Sequence, residues 1–262
     1  MGRWFERFFS EAGYAVLISG RKTELTWEAL AQKSDAVILS VPMDTVHGVC
    51  KTIGPLLKPD QLLMDLCSLK EDVLKIMLDS TSAQVIGAHP LFGPFTNSIK
   101  GQNVILCPGK GKTWLDLLED DFKTKGAIVT RMDALTHDKN MAVVQGLVHF
   151  LTVCMGRTLQ KTGMTPGEAI LCSTPIFRVN LDLVGRLFAQ DLDLYAGLIG
   201  KNRHVKNVLE TFLSSVDETR QNLLSGKDED RADFMEMIRE FLSDFCESGL
   251  AESNKILNSL YL

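Results

Sequence analysis

The sequence predicts an α/β domain built on a parallel sheet, followed by an all-α domain, and two successive patterns support this prediction. Up to about residue 131, short apolar runs alternate with helical patterns, as they do in βαβ units. Beyond residue 132 the strand pattern stops, and apolar residues recur at three- and four-residue spacing. We therefore predict two domains, residues 1–132 and residues 133–262.

Apolar runs in the first part predict strands, and helical patterns lie between them. Several runs consist almost entirely of Val, Ile and Leu, which is typical of strands covered on both faces of a doubly wound parallel sheet. The predicted strands are 14–19, 36–41, 62–66, 84–88, 103–107 and 127–130. The predicted helices are 4–12, 27–33, 45–57, 70–78 and 113–125.

The second part predicts helices only. An amphipathic pattern covers 138–155, and Ser173-Thr174-Pro175 predicts the capped start of a long helix with apolar positions as far as Leu194. Two more helices are predicted over 205–224 and 233–245. Together these helices carry more apolar surface than one small bundle can bury, so we expect a homodimer.

Charge and composition exclude several classes of protein. The chain has 262 residues, with 28 Lys and Arg against 33 Asp and Glu, which gives 28 − 33 = −5. This balance argues against a nucleic-acid or anionic-membrane partner, since both favour a basic face. The six cysteines form no CxxC pair and no metal-ligand spacing. The longest apolar stretch, 143–155, is shorter than the roughly 18 residues of a membrane span. We therefore expect a cytoplasmic protein without a metal.

The beginning of the sequence differs from that of a complete dinucleotide-binding fold. Such a fold opens with an apolar strand, a glycine-rich turn and then a helix. Here the helical pattern begins almost at once, and Gly2 could be the last glycine of such a turn. We expect that the first strand and most of the phosphate-binding loop are absent from this sequence.

The turn after the predicted strand 14–19 bears on cofactor choice. An acidic residue in this turn would bind the ribose 2′-hydroxyl of NAD, whereas an arginine nearby accommodates the 2′-phosphate of NADP. The turn reads Ser19-Gly20-Arg21-Lys22, with two cations and no acid. The sequence favours NADP over NAD, with an ordinary polar turn as the alternative.

Polar residues stand where the predicted strands end, which is where open parallel sheets bind ligands. Ser40-Val41-Pro42, Ser68 and His89 each come at or directly after such an end. Because the carboxyl ends of neighbouring parallel strands meet at one edge, we expect Ser68 and His89 to line one crevice. A neutral imidazole takes up a proton near pH 7, so His89 is a candidate base and Ser68 a candidate partner. The alternative is that both only cap loops.

The remaining histidines carry weaker signals. His149 lies one turn from Gln145 on the flank of an apolar helix face, where a structural role and a substrate contact fit equally well. His137 begins a predicted helix, which favours a capping role. His47 and His204 lie in polar surroundings and are expected to be solvated.

Three charged residues, Arg178, Asp182 and Arg186, follow at four-residue spacing on one predicted helix. This pattern is typical of intrahelical ion pairs. Arg186 lies among apolar residues, where an arginine usually needs an anion. A bidentate contact with a substrate carboxylate would supply one.

The segment 87–94, Gly-Ala-His-Pro-Leu-Phe-Gly-Pro, resembles the His-Pro-Met-Phe-Gly-Pro signature of prephenate dehydrogenases, the enzymes of tyrosine biosynthesis. Segments 65–70, 137–149 and 173–191 resemble the same family. The resemblance extends over essentially the whole chain and is strongest to the branch often fused to a chorismate mutase.

This resemblance implies a Rossmann-like parallel-sheet domain followed by an all-α dimerisation domain. It implies oxidative decarboxylation of prephenate to 4-hydroxyphenylpyruvate and CO₂, with reduction of NAD or NADP. His89 would take the proton of the ring hydroxyl, Ser68 would hydrogen-bond that hydroxyl or His89, and Arg186 would bind a prephenate carboxylate. Further substrate contacts are implied for Arg178, Gln145, His149 and Tyr195.

Two alternatives stay open at the level of sequence. The first is an arogenate dehydrogenase, which would use the aminated analogue of prephenate on the same fold. The second is a non-catalytic remnant that dimerises or binds tyrosine. The presence of His89, Ser68 and Arg186 favours an enzyme, whereas the missing first strand favours the remnant.

Overall fold

The structure is a computed structural model that describes residues 1–20 and 22–260, apart from the side chain of Ser225. It divides into two compact units, Met1–Met141 and Ala142–Leu262. The first unit contains a five-stranded sheet with helices, and the described residues of the second are helical or in loops. The predicted order, an α/β domain followed by an all-α domain, is confirmed.

The elements of the first unit lie close to the predicted ones. Its strands are β1 (Ala36–Leu39), β2 (Leu62–Asp65), β3 (Gln84–Pro90), β4 (Asn103–Lys110) and β5 (Ile128–Arg131). Its helices are α1 (Gly2–Glu11), α2 (Trp27–Lys33), α3 (Met43–Ile53, followed by a 3₁₀ turn), α4 (Glu71–Ser80), α5 (Thr113–Thr124) and α6 (Ala134–Met141).

The sheet has the order β1-β2-β3-β4-β5, and one of its pairings differs from the prediction. Pairs β1–β2, β2–β3 and β4–β5 are parallel, but β4 runs antiparallel to β3. A parallel connection needs a crossover, usually a helix. Residues 91–102 form no helix, so the chain returns along β3 in the opposite direction. The sheet is therefore mixed, with parallel pairs predominating, and it departs from the predicted parallel arrangement only at this pair.

A second correction concerns residues 14–19, which were predicted to form a strand and instead lie outside regular structure. A strand needs a neighbour to receive its backbone hydrogen bonds. Among the described residues, β1 is bonded only to β2, and residues 14–19 pair with no strand. The apolar pattern is present, but the pairing that would make it a strand is not.

Each face of the sheet packs against its own hydrophobic cluster. Leu63 joins the cluster beneath α2, α3 and α4, while Leu62 and Met64 join the cluster with α1 and α5. This division follows from the alternation of side chains along a strand. On the second face the aromatic rings of α1 surround Phe122 of α5. Both faces of the central strands are therefore buried, as their apolar sequences predict.

The second unit begins with a π-helical turn and continues as a series of helices. They are α7 (Val148–Thr162), α8 (Pro166–Leu171), α9 (Pro175–Phe188), α10 (Leu192–Gly200), α11 (Val205–Arg220), α12 (Asp228–Leu242) and α13 (Phe245–Ser259). Thr174 caps α9 as predicted, with its side chain accepting from the N–H of Phe177. The predicted long helix ends at Phe188, because the side chain of Asp191 caps a new helix.

Many apolar side chains of the second unit are exposed in the single chain, among them Leu171, Phe241 and Phe245. By length and composition alone, the helical run Ala134–Thr162 is long and apolar enough to cross a membrane. The apolar stretch 143–155 had predicted no membrane span. Helices buried in a protein core meet the same criterion, so this finding alone does not indicate a membrane protein.

Candidate active site

The candidate site lies at the carboxyl ends of β2 and β3, inside the first unit. These strands are parallel, with Asp65 opposite Gly87, so that His89 stands just beyond the last residue pair. The side chain of His89 is almost entirely buried, at 3% exposure. The structure thus places His89 near the carboxyl end of β3, as the sequence predicts.

A chain of hydrogen bonds runs from His89 into α6. Nδ1 of His89 lies 2.8 Å from Nε2 of His137, and Nδ1 of His137 lies 2.7 Å from Oδ1 of Asp138. All three residues are buried. The result is an Asp–His–His arrangement, in which His137 orients the ring of His89 and Asp138 orients the ring of His137.

The carboxylate at the end of this chain fixes how the ring protons are arranged. Asp138 can only accept when ionised, so Nδ1 of His137 carries the proton. In the neutral ring, Nε2 of His137 is then an acceptor, and His89 must donate to it from Nδ1–H. Nε2 of a neutral His89 is left with the lone pair, which is the form that a general base requires.

Asp138 also holds the beginning of α4. Its two carboxylate oxygens accept from the backbone N–H groups of Lys70 at 2.8 Å and Glu71 at 3.0 Å. Backbone N–H groups at a helix start have no partner within the helix and favour an anion. One carboxylate therefore joins α6, α4 and the histidine pair.

Beneath His89 lies an ion pair that is completely buried. Nζ of Lys70 contacts Oδ2 of Asp65, and it donates to the carbonyl oxygen of Ala88 at 2.9 Å. The stem of Lys70 passes over Gly87, where an added Cβ would approach its Cδ to 3.0 Å. Gly87 thus leaves room for the lysine that binds the backbone of β3 next to His89.

The charges of the site follow from these contacts. Burial, together with the positive charge of Lys70 and the neighbouring His137, places the pKa of His89 well below its usual 6.5. Burial raises the pKa of Asp138, but the hydrogen bonds from His137 and from the N–H groups of Glu71 and Lys70 outweigh it, so the pKa is lowered. At neutral pH the pair is therefore a neutral His89 and an ionised Asp138.

Ser68 lies in the loop between β2 and α4 and is half-buried. Its hydroxyl makes no hydrogen bond with any residue in the described part of the chain. The structure thus places Ser68 at the same sheet edge as His89, without a hydrogen bond between the two side chains.

The residues predicted to bind a cofactor lie around β1 and the start of α1. Gly2 begins α1 beside Ser40, and Val41 and Pro42 follow β1. The hydroxyl of Ser19 donates to the carbonyl of Leu25, and Lys22 is exposed. Arg21 lies outside the described residues.

The predicted substrate residues of the second unit fall into two groups. His149 and Tyr195 are in contact, with perpendicular rings 4.9 Å apart, and Gln145 lies in the π-helical turn before α7. Burial lowers the pKa of His149.

On α9, Nε of Arg178 lies 3.1 Å from both carboxylate oxygens of Asp182, which confirms the intrahelical ion pair. Arg186 is exposed in the single chain.

Sequence reasoning missed the partners of His89. His137 was expected to cap a helix, and it is fully buried against His89 instead. Asp138, Lys70 and Asp65 received no role. The sequence feature that could have indicated this role is the adjacent pair His137-Asp138. A histidine next to a carboxylate can orient a second histidine such as His89. No group of three metal-ligating side chains occurs among the described residues.

Comparison with known families assigns both parts of the chain. Residues 17–131 match "Prephenate dehydrogenase, nucleotide-binding domain", and residues 133–240 match "Prephenate dehydrogenase, dimerization domain". The chain belongs to the prephenate dehydrogenase family.

Two relatives show the extent of the similarity within the prephenate dehydrogenase family. The T-protein of Haemophilus influenzae is 32% identical over 260 residues, which are 98% of this chain and 68% of that protein. The probable arogenate/prephenate dehydrogenase of Methanocaldococcus jannaschii is 31% identical over 264 residues, which are 94% of this chain and 58% of that protein.

Solved structures of the family share the fold. Prephenate dehydrogenase from Aquifex aeolicus superposes with a TM-score of 0.67 at 20% identity, over 82% of this chain and 79% of that one. A putative prephenate dehydrogenase from Corynebacterium glutamicum gives a TM-score of 0.71 at 18% identity, over 92% and 85%. A further Aquifex aeolicus structure, in complex with hydroxyphenyl propionate and NAD⁺, has a TM-score of 0.66 at 21% identity, over 82% and 78%.

The buried ion pair predicts a specific stability pattern. Lys70→Met leaves the Asp65 carboxylate buried without its counter-charge and is expected to lower the free energy of unfolding by about 3–5 kcal/mol. Adding Asp65→Leu removes that charge and should restore most of the loss. Urea unfolding followed by circular dichroism measures both variants.

The control is Lys123→Met, which removes the exposed lysine of the ion pair with Glu119. This change should cost less than about 1 kcal/mol. Equal losses in Lys70→Met and the double variant would contradict the role given to the charge.

Proposed function

We propose that this chain catalyses the oxidative decarboxylation of prephenate to 4-hydroxyphenylpyruvate and CO₂, with hydride transfer to a nicotinamide dinucleotide. The observation that carries the proposal is the buried Asp138–His137–His89 chain at the carboxyl end of β3. This chain of hydrogen bonds gives His89 the tautomer that a general base requires. The family to which the protein belongs consists of dehydrogenases, whose reaction needs such a base.

His89 acts on the hydroxyl group of the substrate ring. Prephenate carries this hydroxyl and a hydrogen on the same carbon, and Nε2 of His89 takes the hydroxyl proton as hydride leaves that carbon. A bound nicotinamide ring would supply the acceptor for this hydride and its two electrons. His137 and Asp138 hold the imidazole in place and stabilise the positive charge that it gains.

The second bond to break is the one between the ring and its carboxylate. Its electron pair enters the ring as CO₂ leaves, which makes the ring aromatic and places negative charge on the ring oxygen. His89 returns its proton to that oxygen, so the base is regenerated. Because aromatisation drives this step, the chain needs no further acid or base. Ser68, at the same sheet edge, is proposed to hydrogen-bond the ring hydroxyl.

The carboxylates of the substrate need cationic or hydrogen-bonding partners. We assign this role to Arg186, whose exposed guanidinium can bind a carboxylate in a bidentate manner. Arg178, Gln145, His149 and Tyr195 are proposed as further substrate contacts. The support for Arg186, Arg178, Gln145 and His149 is the resemblance of segments 137–149 and 173–191 to the family. For Tyr195 it is the ring contact with His149.

The residues around the start of α1 fit the phosphates of a dinucleotide. The carbonyl of Met1 accepts from Trp4 and Phe5, so the N–H groups of Gly2 and Arg3 are not used within the helix. Free N–H groups at a helix start bind phosphate. We propose that Gly2 and Ser40-Val41-Pro42 hold the dinucleotide.

For the ribose end of the dinucleotide we propose Ser19, Arg21 and Lys22. The two cations favour the 2′-phosphate of NADP over the 2′-hydroxyl of NAD. Because this preference depends on charge next to one phosphate, it can be tested apart from the chemistry at His89.

Arogenate is the second candidate substrate. It differs from prephenate in the side chain, where an amine replaces the keto group, and the ring chemistry at His89 is the same. The name of the Methanocaldococcus jannaschii relative, which includes both substrates, supports this candidate. A remnant that binds tyrosine without turnover is the third possibility that the assay below distinguishes.

We further propose that the protein acts as a cytoplasmic homodimer. The second unit matches the dimerization domain of the family, and its helices expose large apolar side chains such as Leu171 and Phe241. A partner chain would bury them. The net charge of −5 argues against nucleic acid and anionic membranes as partners.

The role of His89 can be tested by substitution. His89→Asn should lower kcat/KM for prephenate by about 10²–10⁴-fold. Asparagine cannot accept the proton, although it is a polar side chain of similar size that can still form hydrogen bonds. The absorbance of the reduced dinucleotide measures the rate, with prephenate and arogenate assayed in parallel. The control is His47→Asn on the exposed side of α3, which should have no effect.

Activity of His89→Asn within threefold of the parent would exclude His89 as the base. A folded dimer of the parent chain that turns over neither substrate, yet binds tyrosine, would support the remnant instead.

The pH dependence of kcat/KM follows from the environment of His89. The base must be neutral, and its pKa is lowered by burial, Lys70 and His137, so the neutral form persists well below pH 6.5. Activity should therefore be level through pH 6.5 and fall only at more acidic pH. An ascending limb centred at 6.5 or above would show that His89 is not the titrating base.

The cofactor preference can be tested at Lys22. The parent chain should have a lower KM for NADP⁺ than for NAD⁺, and Lys22→Asp should raise the KM for NADP⁺ roughly tenfold or more by removing a charged contact with the 2′-phosphate. Lys51→Asp, an exposed change on α3, is the matched control. A parent chain that prefers NAD⁺ would contradict the assignment.

A further inference from the structure

The segment that follows His89 leaves the sheet at the edge where the candidate site lies. β3 ends at Pro90, and residues 91–102 connect it to β4. Leu91 packs against the hydrophobic cluster beneath α2, α3 and α4, whereas Phe92 packs against the cluster with α1 and α5. The chain therefore crosses the carboxyl end of β3 and continues on the side of the sheet that α1 covers.

Residues 93–98, which we call the 93–98 loop, have few contacts of their own. The N–H group of Thr96 donates to the carbonyl of Gly93 at 3.1 Å, which closes a turn within the loop. Between these two residues, the ring of Phe95 is 75% exposed. A turn of this kind gives the loop a local shape but does not fix it relative to the sheet.

The contact that fixes the 93–98 loop comes from Trp4 of α1. The indole Nε1–H donates to the carbonyl of Thr96 at 2.7 Å, and the indole ring lies 4.8 Å from the ring of Phe92 between centroids. Within the described part of the chain, no other hydrogen bond joins the 93–98 loop to a helix or strand. Trp4 is itself buried, at 6% exposure, and its ring stacks on Phe8.

Trp4 also occupies a particular place on α1. It lies in the first turn, two residues after Gly2, at the helix start to which we assign the phosphates of the dinucleotide. The 93–98 loop begins four residues after His89. One side chain thus links the helix assigned to the dinucleotide with the loop that follows the base. Hydride transfer requires both reactants to be held in one geometry, so a fixed loop at this point favours the reaction.

We propose that Trp4 is a positioning residue, which holds the 93–98 loop beside His89 in the conformation that contacts prephenate. The identity of this substrate rests on the proposed function. Tryptophan suits the role because its ring stays in the apolar cluster while its N–H group reaches the carbonyl of Thr96. Trp4 acts through the loop and makes no contact with the substrate.

The test compares two tryptophans that make the same kind of bond. Trp4→Phe keeps an aromatic ring in the cluster and removes the donor to Thr96. Trp114→Phe is the matched control, because Nε1 of Trp114 donates to the carbonyl of Asp60 at 2.9 Å. Asp60 precedes β2, so this second bond lies at the opposite edge of the sheet from the site.

Hydrogen exchange of the 93–98 loop is measured by mass spectrometry at short labelling times, while prephenate is added without dinucleotide so that no turnover occurs. Prephenate should slow the exchange of the loop in the parent chain and in Trp114→Phe. Without prephenate, Trp4→Phe should exchange faster at the loop than the parent. The prephenate concentration that gives half of the protection should rise by about threefold to tenfold in Trp4→Phe, as expected for the loss of one hydrogen bond.

Steady-state kinetics and a second variant separate positioning from stability. In Trp4→Phe the KM for prephenate should rise by the same factor, with kcat within twofold of the parent, because bound substrate again holds the loop. Phe92→Leu removes the ring contact and leaves α1 unchanged, and it should shift half-protection in the same direction. Circular dichroism checks that each variant is folded.

Unchanged exchange of the 93–98 loop in Trp4→Phe would overturn the proposal, as would faster exchange with an unchanged half-protection concentration. Equal effects of Trp4→Phe and Trp114→Phe would also overturn it, since the cause would then be a general loss of stability. A parent chain whose loop prephenate does not protect would contradict it as well. Protection by prephenate without turnover would support this inference and contradict the proposed function, so the two failures are distinguishable.

Discussion

The carboxylate of Asp138 is the contact on which the rest of the site depends. It accepts from the N–H groups of Lys70 and Glu71 at the start of α4 and from the ring of His137. The helix start stabilises its negative charge, and that charge in turn fixes the proton positions of both histidines. Without an ionised group at this point, neither the tautomer of His89 nor the packing of α6 against α4 would be defined.

The buried Lys70–Asp65 pair has a different consequence for the same histidine. Two buried charges are costly to desolvate, so such a pair contributes little net stability compared with apolar residues. Lys70 instead binds the carbonyl of Ala88, which fixes the backbone next to His89, and its positive charge disfavours protonation of the imidazole. The neutral state of His89 thus results from burial and Lys70, while its orientation results from Asp138 and His137.

The sequence predicted the order of elements and the location of His89, because both depend on local patterns. Apolar runs and a histidine before a proline at a strand end can be recognised without knowing any distant contact. The role of His137 could not be predicted in this way, since His137 and His89 are 48 residues apart and meet only through the packing of α6. The direction of β4 was missed for a related reason, because a loop without a helix permits either direction until the pairing is known.

Residues 14–19 show why strand prediction reaches a limit at the edge of a sheet. Their apolar pattern equals that of β1, yet β1 is a strand and they are not. The difference is that the N–H groups of Leu62 and Leu66 donate to the carbonyls of Asp35 and Leu39 at the two ends of β1, whereas no described strand pairs with residues 14–19. Side-chain pattern sets which face of a segment is buried, but backbone pairing decides whether it becomes a strand.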